Sequence, residues 1–219
     1  MLLPRIYVPS TSPEDWKRLL AEPDRQWRPE YSAWAVAHAW EAAGGLPPEI
    51  VGLVRETPFF AGASPELLCA FPEYTVDLPG GRRPSQNDVF ALLRVGPNTA
   101  GMAVEGKVEE SFGPTLGEWL DGASDGKRQR LSYLRDLLGL HLEPLPSTLR
   151  YQLLHRTASA IIEASRFKTD AAIMVVQSFS DKATSKDDFL QFVDLLRGQM
   201  QDKGLAEIKL PNGLPLFVG

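Results

Sequence analysis

Asn87-Asp88-Val89-Phe90-Ala91-Leu92-Leu93-Arg94-Val95 and Gly101-Met102-Ala103-Val104-Glu105-Gly106-Lys107-Val108-Glu109-Glu110 are the stretches that decide the fold. Both have strand length and strand composition. The five residues between them, Gly96-Pro97-Asn98-Thr99-Ala100, have the length and chemistry of a hairpin turn. With the turn centred between Pro97 and Asn98, Asp88 faces Lys107 and Phe90 faces Glu105. Side chains alternate along a strand, so Asp88, Glu105 and Lys107 share one face of the hairpin. A slip of one residue would separate them.

Working outward, Tyr74–Leu78 alternates in the strand period, stops at Pro79-Gly80-Gly81, and makes a three-strand meander with the hairpin. The first third of the chain is helical. Ser12-Pro13-Glu14-Asp15 is a helix start with Ser12 as N-cap. A second helix runs from Pro29 to the Gly44-Gly45 stop, with Trp34, Val36, Ala37, Trp40 and Ala43 nearly surrounding it, and a third runs from Pro47 to Thr57. Pro65–Phe71, which holds Cys69, reads as an apolar helical turn with the cysteine buried.

Beyond the meander, helices are expected over 114–120, 127–138, 147–165 and 187–200. The apolar run 170–179 has the pattern of a strand covered on both faces. The tail, 205–218, reads as a hairpin around Pro211-Asn212-Gly213. The fold class is mixed α/β (α+β): a central mixed sheet flanked by helices, with N-terminal helices and a C-terminal β-hairpin. The 219 residues form a single expected domain, with an N-terminal arm and helix over 1–28, a core over 29–179, and a C-terminal helix and hairpin over 180–219.

Composition sets outer bounds. Hydrophobic residues make up 43% and charged residues 23%, an ordinary globular balance. No apolar run approaches the ~20 residues that span a bilayer, so no membrane partner is expected. The opening residues, Met1 to Pro9, read as an extended arm and not as a signal peptide. Cys69 is the sole cysteine, which fits a reducing cytoplasm. A net charge of −5 argues mildly against bulk nucleic-acid binding.

Two carboxylates and a lysine gathered at a strand pair can hold a divalent cation and activate a water. Mg²⁺ prefers hard oxygen ligands and few protein groups. Asp88 and Glu105 supply carboxylates, and Lys107 can orient the water or stabilise charge on a phosphate. Gly106 leaves the cation room. The acid-x-lysine tripeptide alone is unspecific, since Asp15-x-Lys17, Asp125-x-Lys127 and Glu207-x-Lys209 match it too. Only Glu105-x-Lys107 follows an acid-led strand.

Helix, strands, an Asp leading the second strand, Glu-x-Lys in the third, a helix and a further buried strand resemble the PD-(D/E)XK nuclease superfamily, with its restriction-endonuclease-like fold. The resemblance covers Pro29 to Phe179. It implies a Mg²⁺- or Mn²⁺-dependent nuclease, with Asp88 and Glu105 on the metal and Lys107 in catalysis. A Glu from the first core helix joins the metal in some members, and Glu41 is the matching residue. Gln152 and His155, one turn apart on the helix after the third strand, match the polar positions of that helix. Arg82 can grip a backbone phosphate. Nucleic acid is the implied partner, DNA ahead of RNA, and the resemblance allows a homodimer. Two departures stand out: Asp88 lacks a preceding proline, and about 60 residues separate Lys107 from the last core strand. The alternative is a catalytically inactive module that uses the same fold to bind nucleic acid or protein.

Overall fold

The computed structural model describes residues 10, 12–141, 144–180, 182, 185–198, 200 and 204–219. The expected N-terminal arm lies outside them. The hairpin consists of β2 (Ser85–Val95) and β3 (Asn98–Lys107), paired antiparallel. Its turn is only Gly96-Pro97, with Val95 opposite Asn98. Gly96, at φ 60°, precedes a proline whose φ is fixed negative, and this order suits a two-residue type II′ turn. The tighter turn moves the expected register by two residues. Phe90 pairs with Ala103 and not with Glu105. A shift of two preserves the face each side chain occupies.

β1 (Pro65–Val76) pairs antiparallel with β2, so the expected helical turn at Pro65–Phe71 is strand. An apolar run this short is ambiguous from its pattern alone, and long-range pairing decides it: Ala70 lies opposite Ala91 and Phe71 opposite Phe90. A register shift between Leu67 and Cys69 marks a bulge. Cys69 is half-buried rather than buried.

β4 (Ala171–Ser178) adds parallel to β3, as the continuous apolar run predicts. The C-terminal hairpin of β5 (Ala206–Lys209) and β6 (Pro215–Val218) is not an appendage. β6 pairs parallel with β4, giving a six-stranded mixed sheet in the order β1-β2-β3-β4-β6-β5.

Helices cover both faces. α1 (Glu14–Lys17) and α2 (Pro23–Gln26) are single turns. Pro13, not Ser12, occupies the first N-cap position, and no side chain caps it. α3 (Ser32–Ala43) stops at left-handed Gly44, and α4 (Pro48–Arg55) follows. Val36 and Trp40 of α3 pack with Val89, Met102, Val104 and Ile173. Only one side of α3 is buried, and Ala43 is exposed. On the other face, α7 (Tyr151–Phe167) sets Leu153, Ala158 and Ile161 against Ala103, Ala172 and Met174. Met102, Ala103 and Val104 thus serve opposite cores in turn. Gly101 lets α7 come close: a Cβ there would lie 3.2 Å from the Ala164 Cα. α5 (Leu116–Leu120), α6 (Asp125–Leu138) and α8 (Lys186–Leu195) complete that layer. Among the described residues no helix is long and apolar enough to cross a membrane.

Candidate active site

The end of the β2–β3 ladder builds the site. Its last pair is Val89–Val104, and past it the Asp88 side chain takes over: Oδ2 accepts the Gly106 N–H at 2.6 Å. Glycine is required at 106 by close approach. A Cβ there would lie 2.4 Å from Val36 Cγ2 and 3.2 Å from Asp88 Oδ2. Bare backbone at Gly106 therefore lets α3, β2 and β3 converge.

Glu105 and Lys107 point to the α7 side and are buried, at 3% and 4% exposure. Lys107 Nζ donates to Glu105 Oε1 at 2.7 Å and lies 5.2 Å from the centre of the Phe112 ring. From α7, Gln152 Nε2 donates to the same Oε1 at 2.7 Å, and Arg156 Nε donates to Oε2 at 2.5 Å. Burial alone would raise the Glu105 carboxyl, but the Arg156 and Lys107 charges outweigh it and hold the group below the usual carboxylate range.

Asp88 behaves in the opposite way. Burial and then the Glu105 charge push its carboxyl up to about 7, against the pull of Arg156, the Gly106 N–H and Lys107. A third acid lies nearby. Pro72 pairs with Val89 and Tyr74 with Asn87, so Glu73 sits across from Asp88. Glu73 has a left-handed backbone, φ 52°, which is unusual for a residue with a side chain and is a mark of functional sites. Burial, then the Asp88 charge, holds its carboxyl well above the normal range, while Gln86 Nε2 donates to Oε2 at 2.7 Å.

These groups line a cleft of about 410 Å³. Asp88, Glu105, Lys107 and Gln152 meet there, together with Glu73 and Arg156, which the sequence reading did not select. Glu110 lines it as well, accepting the Ser32 and Val108 N–H groups, whereas Glu109 is exposed.

The other expected contacts lie elsewhere. Glu41 is nine residues beyond Ser32 on α3, about 13 Å along the axis from the end that lines the cleft. Its Oε1 accepts from Trp16 Nε1 at 2.7 Å and from the Ser10 hydroxyl. Arg82 is exposed on the β1–β2 loop and does not line the cleft. His155 stands behind the site, with Nδ1 2.8 Å from Ser85 Oγ. Burial, then the Arg156, Arg130 and Lys107 charges, holds its imidazole well below the usual range and hence neutral. Arg130 is buried and donates to the carbonyls of Leu78, Pro79 and Arg83, clamping the loop before β2.

The donor set suits a hard cation held sparingly. Among the described residues no three His, Cys, Asp or Glu side chains converge into a metal cage. Asp88 keeps one oxygen outside its Gly106 bond, Glu73 keeps one outside its Gln86 bond, and both oxygens of Glu105 are engaged. One or two carboxylates, completed by water and a substrate phosphate, is what Mg²⁺ accepts.

Over residues 9–219 the chain matches the family described as Domain of unknown function (DUF6946), and it belongs to that family. No curated protein and no solved structure matches the chain.

Proposed function

We propose that this member of the DUF6946 family is a divalent-metal-dependent phosphodiesterase with a restriction-endonuclease-like core, acting on nucleic acid. One observation carries the reading: Asp88, Glu105 and Lys107 line one cleft, with the Asp88 carboxyl pushed up to about 7 by burial and then by the Glu105 charge. Crowded carboxylates of this kind are relieved by a bound cation. The element order α3, β1–β2–β3, α7, β4 supports the same reading.

Asp88 and Glu105 would hold Mg²⁺ or Mn²⁺, two carboxylates being enough for such a cation, and Glu41 lies too far from the cleft to join them. When bound, such a cation polarises a phosphoryl oxygen and lowers the pKa of a water. Lys107 places an ammonium in the same cleft, where it can orient a nucleophile or stabilise charge on phosphate. Arg156 and Gln152 hold Glu105 in position.

The second reading is a binding module without catalysis, and it is favoured by the engagement of both Glu105 oxygens with three donors. Hydrolysis of bis(p-nitrophenyl) phosphate with Mg²⁺ or Mn²⁺ separates the two. The enzyme reading expects metal-dependent turnover that falls at least about 100-fold in Asp88→Asn and Lys107→Met. Folded wild-type protein with no turnover, or turnover unchanged in both variants, would sink it.

A further inference from the structure

We infer that the cleft takes a single-stranded polynucleotide and not an intact duplex, an inference that rests on the phosphodiesterase reading above. The reacting groups are withdrawn from solvent: Glu105 and Lys107 line the cleft at only 3% and 4% exposure. The cleft, about 410 Å³, falls in the range of small-molecule pockets, roughly 300–1,000 Å³. Its walls come from two directions. Glu22, Arg25 and Gln26 flank it on the α2 side, and the sheet and α7 flank it on the other. In a duplex each phosphate is fixed on the outside of a broad base-paired stack. Bringing one phosphate to these groups would drive its neighbours and the second strand into the walls. A single strand can turn one phosphate inward and let its bases splay.

The charges agree with the shape. Duplex binding draws on a row of cations that neutralise successive phosphates. Among the described residues, the cations lining this cleft are already paired: Arg25 with Glu22 at 3.2 Å, and Lys107 and Arg156 with Glu105. Glu73 and Glu110 add further acid. Such a site suits one phosphate at a time. Tyr31, on the cleft lining and 38% exposed, offers an aromatic face on which a base can stack, the usual means of holding single strands.

The test supplies one oligonucleotide sequence as single-stranded DNA, single-stranded RNA and blunt DNA duplex. Closed circular duplex and bis(p-nitrophenyl) phosphate accompany them, all with Mg²⁺ or Mn²⁺. Expected is hydrolysis of the small diester and of at least one single strand, the two strand arms identifying the sugar, with both duplexes at least about tenfold slower. Duplex cut as fast as single strand overturns the inference and leaves the phosphodiesterase reading standing. Turnover of the small diester alone overturns it too, because the substrate is then smaller than a polynucleotide. No turnover of any substrate removes the phosphodiesterase reading and the inference with it.

Discussion

Arg156 and Glu105, 51 residues apart in the chain, meet as a buried ion pair with Nε 2.5 Å from Oε2. Their side chains retain 11% and 4% exposure, so the pair is desolvated and the value of an exposed salt bridge does not apply. Removing one partner of such a pair leaves an uncompensated buried charge. Arg156→Ala is expected to cost about 3–5 kcal/mol in urea denaturation. Adding Glu105→Gln to that variant should recover part of the loss. A cost below about 1 kcal/mol would show that water reaches Glu105 and replaces the guanidinium.

Asp88 gives the metal-free protein a signature in pH. Its folded carboxyl titrates near 7 against an ordinary value of 3.8, so between these limits the folded state binds the extra proton. Its contribution to stability therefore falls as pH rises from about 4 to 7. Asp88→Asn keeps an acceptor for the Gly106 N–H and removes the charge. It should stabilise the metal-free protein at pH 8 by roughly 2–4 kcal/mol and have little effect at pH 4. Thermal melting across that range checks this, and equal effects at both ends would refute it.

His155 is expected to stay neutral to well below its ordinary pKa, since burial and the Arg156, Arg130 and Lys107 charges all oppose its protonation. The unfolded chain takes up that proton near pH 6.5, so the histidine's contribution to stability is present above that value and is lost as pH falls below it. Imidazole NMR resolves the three histidines directly. A His155 midpoint near 6.5 would contradict the packing behind Ser85.

Gly106→Ala should drive a methyl into Val36 and cost about 1–3 kcal/mol, the usual penalty of overpacking. Val36→Ala removes the atom that would be struck. The double variant should therefore be less destabilised than the sum of the two single changes, as measured by a thermodynamic cycle in denaturant. Simple additivity would show that the helix, and not the valine, yields.

The common face of Asp88, Glu105 and Lys107 was legible because it depends only on parity. The turn proved tighter than expected, yet the register moved by two residues and each side chain kept its side. Glu73 was illegible for a local reason: Pro65–Phe71 carries an apolar pattern that fits a helix or a strand, and only pairing with β2 decides between them. Arg156 stands in plain view four residues after Gln152, but nothing near it in the chain says which side of α7 meets β3. Glu41 matched by helix and residue type. What the match lacked was position along the axis, because α3 reaches the cleft with its first turn and Glu41 lies in its last.

The separation of Arg156 from Glu105 also orders events in time. The β1–β2–β3 meander closes through short connections and can form early. The parallel β3–β4 pairing and the docking of α7 must close a far longer loop first. Until α7 arrives, Glu105 has Lys107 beside it and water around it. Its desolvation and its pairing with Arg156 are then expected in one late step, after the longer loop has closed. Losing Arg156 should accordingly hasten unfolding more than it slows folding, so the same arginine that steadies the cleft also governs how long the cleft, once built, persists.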